Sequence, residues 1–183
     1  MTASTTPTAP RAEIIIRRAT ESDAPRVAEF AQRTFVETFA IHNTPENMTA
    51  HVAQSFGPAI QLSEIRNANS VTLLVELGGN VAAFAQVRRR QAPPCVTGPA
   101  PVELQRFYVD RPFHGRGIAQ RLMQAVEEIA RELDGRTLWL GVWEHNPRAI
   151  AFYGKCGFVD VGTHAFFVGS DEQIDRVMSR SLP

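Results

Sequence analysis

The spacing of apolar positions changes several times along the chain, and each change marks an element. In "EIIIRRAT" (13–20) an apolar run bounded by polar residues reads as a first strand. Thr20 stands three residues before Asp23, the spacing of a capping box, and Pro25 falls in the first turn that follows, where its missing N–H is tolerated. Val27, Phe30, Ala31, Phe35 and Phe39 continue at helical spacing, which predicts a helix to about Ala40. "NTPENM" restarts a helix with Thr44 as N-cap and Pro45 at the first helical position. Gly57-Pro58 ends it, and a short helix is expected from Ile60 to Arg66. "VTLLVEL" and "VAAFAQVRR" flank Gly78-Gly79-Asn80, a hairpin signal. After the proline-rich "QAPPCVTGPAP" comes a strand from Val102 to Val109. A helix from about Gly115 to Leu133 follows, with Ile118, Leu122, Val126 and Ile129 on one face. "RTLWLGVW" reads as a strand. Asn146-Pro147 opens a helix that Gly157 closes, and "FVDVGTH" and "IDRVMSRSL" read as closing strands.

A hairpin in the first half and strand–helix alternation in the second argue for a mixed sheet, antiparallel early and parallel near Gly115. "VELQRFYV" and "RTLWLGVW" are apolar on both alternating sets, so both faces of each should be covered. The length, 183 residues, fits one domain, expected over 13–183. Residues 1–12, rich in Thr, Pro and Ala, are expected to form a disordered tail. With a formal net charge of zero, nothing draws the chain to nucleic acid or a membrane surface. It has no apolar run long enough to span a bilayer and no secretory leader pattern, so a cytoplasmic location is expected. Two cysteines are too few for a disulfide framework, and the five histidines lack metal-ligand spacing, so no metal is expected.

The unit around Gly115-Arg116-Gly117 is strand, glycine turn, helix. A helix start carries unpaired N–H groups and a partial positive charge. Glycines let the backbone approach a ligand closely, and together these features make an anion site, most often for phosphate. The plainer alternative is a tight turn with no ligand. A Walker A loop needs Gly-Lys-Ser/Thr, but Ile118 and Ala119 follow Gly117. A Rossmann fingerprint needs a third glycine where Gln120 stands, after the first strand of a doubly wound sheet.

The run from His114 to Ala119 resembles the acyl-CoA pyrophosphate loop of the GNAT N-acetyltransferases, Gln/Arg-x-x-Gly-x-Gly/Ala. Gly117 and Ala119 fill the last two positions, and His114 stands where Gln or Arg is usual. "NPRAIAFYGKCGF", from Asn146 onward, is similar to that family's Asn-x-x-Ala-x-x-Phe-Tyr-x-x-x-Gly-Phe segment. The resemblance covers essentially the whole chain after the tail. "FVETF…NTPENM" and "LWLGVWEHNPRAIAFYGKCGFVDVGTHAFFVGSDEQIDRVM" resemble in particular the bacterial spermidine/spermine N-acetyltransferase branch. The resemblance implies an α/β (α+β mixed) GNAT fold, a mostly antiparallel sheet of six to seven strands with helices on both faces. Its parallel pair would be splayed at the cofactor site. It implies acetyl-CoA as co-substrate and a primary amine attacking the thioester directly, with a polyamine as the acceptor. The rivals are a protein N-terminus, a lysine or another small amine and, outside catalysis, a CoA-binding sensor. A homodimer is compatible with this.

Residue roles follow from the resemblance. Backbone N–H groups from Gly115, Arg116, Gly117, Ile118, Ala119 and Gln120, with His114 at the head of the loop, would hold the pyrophosphate. Arg116 and Arg121 would add charge or simply solvate the helix start. The backbone of Phe107, Tyr108 and Val109 would pair with the pantetheine arm as an added strand does, and an N–H near Val109 would polarise the carbonyl. Asn146 would cap its helix and lie near the cofactor arm. Tyr153 would protonate the departing thiolate, a role weighed against plain core packing beside Phe152. An alkylamine of pKa near 10.4 is neutral in only about one molecule in 2,500 at pH 7, so freeing its lone pair costs roughly 4–5 kcal/mol. Glu103, expected to share a strand face with Gln105, Phe107 and Val109, is the candidate base, and Glu144 is its runner-up. An ion pair is the alternative for either. Arg88-Arg89-Arg90 reads as a solvated strand end or a contact to the 3′-phosphate of CoA, Cys156 as core and Cys95 as loop. A polycationic acceptor would need carboxylates: Glu37, Glu46, Glu103, Glu144 and the trio Asp171, Glu172 and Asp175, which otherwise reads as a solvated turn.

Overall fold

A computed structural model describes residues 13–183, so the expected tail over 1–12 lies outside the described residues. The order is β1 (Ile14–Arg18), α1 (Ala24–Phe39), α2 (Pro45–Ser55), α3 (Pro58–Arg66), β2 (Ser70–Leu77), β3 (Asn80–Arg88), β4 (Pro101–Val109), α4 (Ile118–Glu132), β5 (Thr137–Trp143), α5 (Pro147–Lys155), β6 (Val159–Val168) and β7 (Asp171–Ser181). The strands form one seven-stranded sheet in the order β1-β2-β3-β4-β5-β7-β6. Every neighbouring pair is antiparallel except β4 and β5. Helices cover both faces. Ile118, Leu122 and Val126 of α4 pack on Ala85, Val87, Leu104 and Leu140. Phe30 and Phe35 of α1 pack on Leu74 and Phe84 of the opposite face.

Most local signals act as expected. Thr44 Oγ1 accepts the Asn47 N–H, and Asn146 Oδ1 accepts the Ala149 N–H, so both N-caps form. Gly78 and Gly79 take φ of +59° and +82°, the pair of left-handed residues a two-residue hairpin turn requires. Helix α4 begins at Ile118, three residues later than its periodicity suggests. Gly115 and Gly117 adopt φ of +74° and +76°, which a right-handed helix cannot contain.

Two sequence expectations need correction. The acidic trio is divided: Asp171 and Glu172 are exposed at the start of β7, whereas Asp175 is buried beside His164 of β6 and is not part of a solvated turn. Glu103 does not share a face with Phe107 and Val109. Between β3 and β4 the register shifts, with Gln86 opposite Arg106 and Val87 opposite Leu104, so Gln105 is an extra residue. Such a bulge reverses the alternation beyond it. Val102, Leu104, Phe107 and Val109 therefore face α4, whereas Arg106 and Tyr108 face α1 together with Glu103.

The end of β4 is clamped to α1. Asp110 donates its backbone N–H to Ala82 O, and its buried carboxylate takes two hydrogen bonds from the Arg33 guanidinium, at 3.0 and 2.9 Å. Arg33 holds the Asp110 carboxyl below the usual carboxylate range, and Arg17 does the same for Asp23 near the start of α1. A depressed folded-state pKa gives stability that is full above the unfolded value, about 4, and is lost as pH falls through the folded value. The melting temperature should therefore fall as pH drops below about 4, and Arg33→Gln should flatten part of that slope. An unchanged acid slope in the variant would show that the clamp contributes nothing.

Candidate active site

Strands β4 and β5 pair over only three positions, Pro101↔Thr137, Val102↔Leu138 and Glu103↔Trp139. Beyond them β4 stays paired with β3 as far as Val109, and β5 stays paired with β7 as far as Trp143. The two central strands thus part company in a V that opens toward their C-terminal ends. The bulge at Gln105 lies where they separate and bends β4. The Asp110 N–H points to β3, so by alternation the N–H and C=O groups of Phe107 and Val109 point into the V. An unpaired strand edge of this kind accepts an extended chain carrying amide groups.

The mouth of the V is the glycine turn. Helix α4 starts at Gly117 with no side-chain cap, leaving the first-turn N–H groups open, and a Cβ placed on Gly115 or Gly117 would meet nothing within 4 Å. Glycine is needed there for its dihedrals, and the space above the turn is clear. Cationic groups surround it. Arg116 lies over the Phe113 ring at 5.8 Å, and Arg121 reaches Ile14 O at 3.5 Å. Arg148 donates to His114 Nδ1 at 3.1 Å, which fixes the tautomer: the proton is on Nε2, which donates to Val109 O at 2.8 Å. His114 therefore covers one of the carbonyls that face the V.

Tyr153, on α5, reaches the V from the α4 face. Its ring is 8% exposed and lies edge-on to Phe107 at 6.2 Å and to Phe158 at 5.8 Å, and Phe107 stacks on Phe152 at 5.6 Å. Burial, followed by the neighbouring Tyr108 and Cys156, drives its hydroxyl well above the ordinary tyrosine range. Tyr108 comes from the α1 face, stacked on Phe84 at 5.5 Å, and burial pushes its hydroxyl up to about 12. The two phenols thus approach the V from opposite faces of the sheet.

The other candidates are scattered. Glu103 is buried at the closed end of the V, with its carboxylate on Arg88 Nε at 2.5 Å and Arg90 at 3.5 Å. Arg89 is tied to Leu133 O and Asp134. Glu144 lies 3.8 Å from the His145 ring, and Glu37 pairs with Arg33 at 3.3 Å. Cys156 is half-buried against the α4 core, its thiol pushed up by burial. Cys95 packs in the loop before β4, beside Val96 and Trp139. Among the described residues no cluster of three or more His, Cys, Asp or Glu is arranged to hold a metal, and no helix is long and apolar enough to cross a membrane. The sequence reading passed over His164 and Trp139, which lie with Asp175 on the α1 face beside the V. A signal was present: Gly141 interrupts a buried apolar strand, which marks a close approach by another group.

Comparison with known proteins follows the same lines. The family model described as "Acetyltransferase (GNAT) family" matches residues 26–158. The chain is similar to the uncharacterized N-acetyltransferase in pepI 3'region of Lactobacillus delbrueckii subsp. lactis, 30% identical over 91% of this chain and 96% of that one. It is 28% identical to the N-alpha-acetyltransferase RimI of Mycobacterium tuberculosis over 88% of this chain and 85% of that protein. Likeness to the spermine/spermidine N(1)-acetyltransferase of Bacillus subtilis is 29% over 31% of this chain and 38% of that protein. Among solved structures, the PaiA N-acetyltransferase of Thermoplasma acidophilum in complex with coenzyme A superposes with a TM-score of 0.76, 21% identical over 92% of this chain and 99% of that one, a likeness of fold.

The two phenols at the V can be read directly, because Tyr108 and Tyr153 are the chain's only tyrosines. Phenolate absorbance should stay flat through pH 10, where a free tyrosine titrates. It should rise only toward and above about 12 or as the chain unfolds. Raised folded-state values also mean that the unfolded chain ionises first, so stability falls as pH climbs past about 10. A half-titration near 10 in the folded protein for either residue would contradict the burial described.

Proposed function

The chain belongs to the acetyltransferase (GNAT) family and is an N-acetyltransferase, and from that premise we propose that it moves acetyl from acetyl-CoA to a primary amine, by direct attack, within the V between β4 and β5. The observation that carries this reading is the parting of β4 and β5 after three paired positions. An open helix start at Gly117 leads to the unpaired edge of Phe107 and Val109, flanked by the buried Tyr153 and the half-buried Tyr108. First-turn N–H groups from Gly115 to Gln120 would take the pyrophosphate. The β4 edge would take the pantetheine amides, once His114 releases Val109 O. Asn146 would set the pitch of α5 and so the reach of Tyr153.

Bond changes set the roles. The amine nitrogen attacks the thioester carbon, the C–N bond forms, and the C–S bond breaks with its electrons on sulfur. Tyr153 would donate to that sulfur. A phenol held above the ordinary range keeps its proton throughout the neutral range, so the donor is always loaded. The same dry surroundings raise the basicity of a thiolate leaving beside it. Glu103 is available as a proton acceptor only by giving up a contact to Arg88 or Arg90.

Thiol release from acetyl-CoA, measured with a panel of amines, tests this reading. Turnover with at least one primary amine is expected, and Tyr153→Phe should lower kcat by about 10²-fold while leaving acetyl-CoA affinity near wild type. Acetyl-CoA binding without thiol release to any amine would contradict it. An unchanged kcat in the variant would leave the ring a packing role only.

The finer proposal is a polyamine acceptor. It is supported by the partial likeness to the Bacillus subtilis enzyme and by buried Asp175 on the acceptor side of the V. The longer likeness to the N-alpha-acetyltransferase favours a protein N-terminus as its rival. Recognition of a flexible polycation by carboxylates such as Glu37 and Glu46 is screened by salt. Spermidine kcat/KM should therefore fall as salt rises, and more steeply than that of phenethylamine. Equal turnover of the two amines with equal salt dependence would remove the polyamine proposal.

A further inference from the structure

On the α1 face of the V, polar groups are buried without partners. Among the described residues four buried side-chain polar atoms find no hydrogen bond, and three of them, Gln105 Oε1, Trp139 Nε1 and His164 Nε2, lie on the strands that border or back the V. Trp139 is 1% exposed. An unsatisfied buried polar atom is destabilising, so those on β5 and β6 beside Gly141, with Gln105 Oε1 on the parting edge of β4, call for an explanation.

His164 belongs to β6, two strands from β5, and reaches the V only because of one glycine. Opposite residues place Gly141 beside Val177 and His164 beside Asp175, so the imidazole crosses over β7. A Cβ on Gly141 would stand 2.7 Å from His164 Nε2 and 2.9 Å from Asp175 Oδ2. The bare backbone of Gly141 is the floor on which the pair rests. Asp175 Oδ2 lies 3.7 Å from His164 Nε2, and its carboxylate is felt by the Tyr108 hydroxyl, which in turn is felt by Tyr153. Other titratable or charged groups on this face are Glu103 with Arg88 and Arg90, Arg106 with Glu64, Tyr108, Asp110 with Arg33 and Glu37, His42 against Trp143, His51 on α2 and Cys95 in the loop over Trp139.

We propose that the acceptor's ammonium group binds over Gly141, between Gln105 Oε1 and the His164–Asp175 pair, and that His164 Nε2 takes its first proton. This rests on the acetyl-transfer reading and names the acceptor subsite and base within it. An ammonium has three donors, and Gln105 Oε1, His164 Nε2 and Asp175 Oδ2 are three acceptors. Its first proton passes to neutral imidazole and on to solvent. The freed lone pair forms the C–N bond as the C–S bond breaks. The second nitrogen proton restores the one Tyr153 gives to sulfur, so the cycle releases one proton net. Asp175 is a positioning residue: its carboxylate, 3.7 Å from Nε2, draws the cation in and stabilises the imidazolium as it forms.

The test is kcat against pH, with phenethylamine as probe, for the wild type, His164→Gln, Asp175→Asn and His164→Ala with added imidazole. Acetyl-CoA binding is followed by thermal shift in each. Wild-type kcat should fall on the acid side. His164→Gln should lose that limb and about 10²-fold in kcat, with acetyl-CoA still bound, and imidazole should restore part of the activity of His164→Ala. Asp175→Asn should raise KM and lower kcat less. A wild type that turns over while His164→Gln keeps its rate and acid limb overturns this proposal alone and leaves ordered water as the partner of these atoms. Loss of the limb in Glu103→Gln instead of His164→Gln also overturns it. A wild type that releases no thiol with any amine overturns the underlying reading as well. If His164→Gln fails to bind acetyl-CoA, the absence of imidazole rescue in a folded His164→Ala decides against it.

Discussion

Everything at this site depends on two neighbouring strands that stop pairing. Backbone N–H and C=O groups away from water must find partners, and β4 leaves those of Phe107 and Val109 facing a gap after three paired positions with β5. The bulge at Gln105 lies where the strands separate. The clamp of Asp110 onto Arg33 holds the far end of β4 against α1 and β3, so the strand cannot swing back to close the gap. An opened sheet is a costly arrangement unless an extended ligand completes it, and the proposed pantetheine arm would be such a ligand.

The two sides of the slot differ chemically because the sheet separates them. On the α4 face the walls are aromatic: Phe107, Phe152 and Phe158 surround Tyr153, and the low dielectric keeps its proton in place. On the α1 face the wall is polar and in part unpaired, with Asp175 and His164 over Gly141 and the Trp139 indole beside them. In the proposed reaction the first face would serve the departing thiolate and the second the arriving ammonium.

Much of this was legible in the sequence. The glycine turn, the Asn146 cap and the placement of Tyr153 rest on local signals, namely left-handed dihedrals, a side chain that accepts a helix N–H, and a short motif. What the chain alone did not reveal were the effects of long-range pairing. "VELQRFYV" breaks its alternation at Gln105-Arg106, but only the pairing with β3 shows that Gln105 is supernumerary and that Glu103 and Phe107 lie on opposite faces. "DEQID" has the composition of a solvated turn, yet pairing with β6 carries Asp175 into a buried position. His164 carries no local motif and gains its place from β7 and from Gly141. The boundary of α4 moved for a local reason, the positive φ of Gly115 and Gly117.

The slot itself can be observed amide by amide. Hydrogen exchange of the free protein should be fast at the N–H groups of Phe107 and Val109 and in the first turn after Gly117, and slow at Tyr108 and Asp110, which point to β3. Acetyl-CoA should slow the first set and leave the second unchanged. Exchange already slow at Phe107 and Val109 without ligand, or unaltered when acetyl-CoA binds, would contradict a cofactor slot built from the parting of β4 and β5.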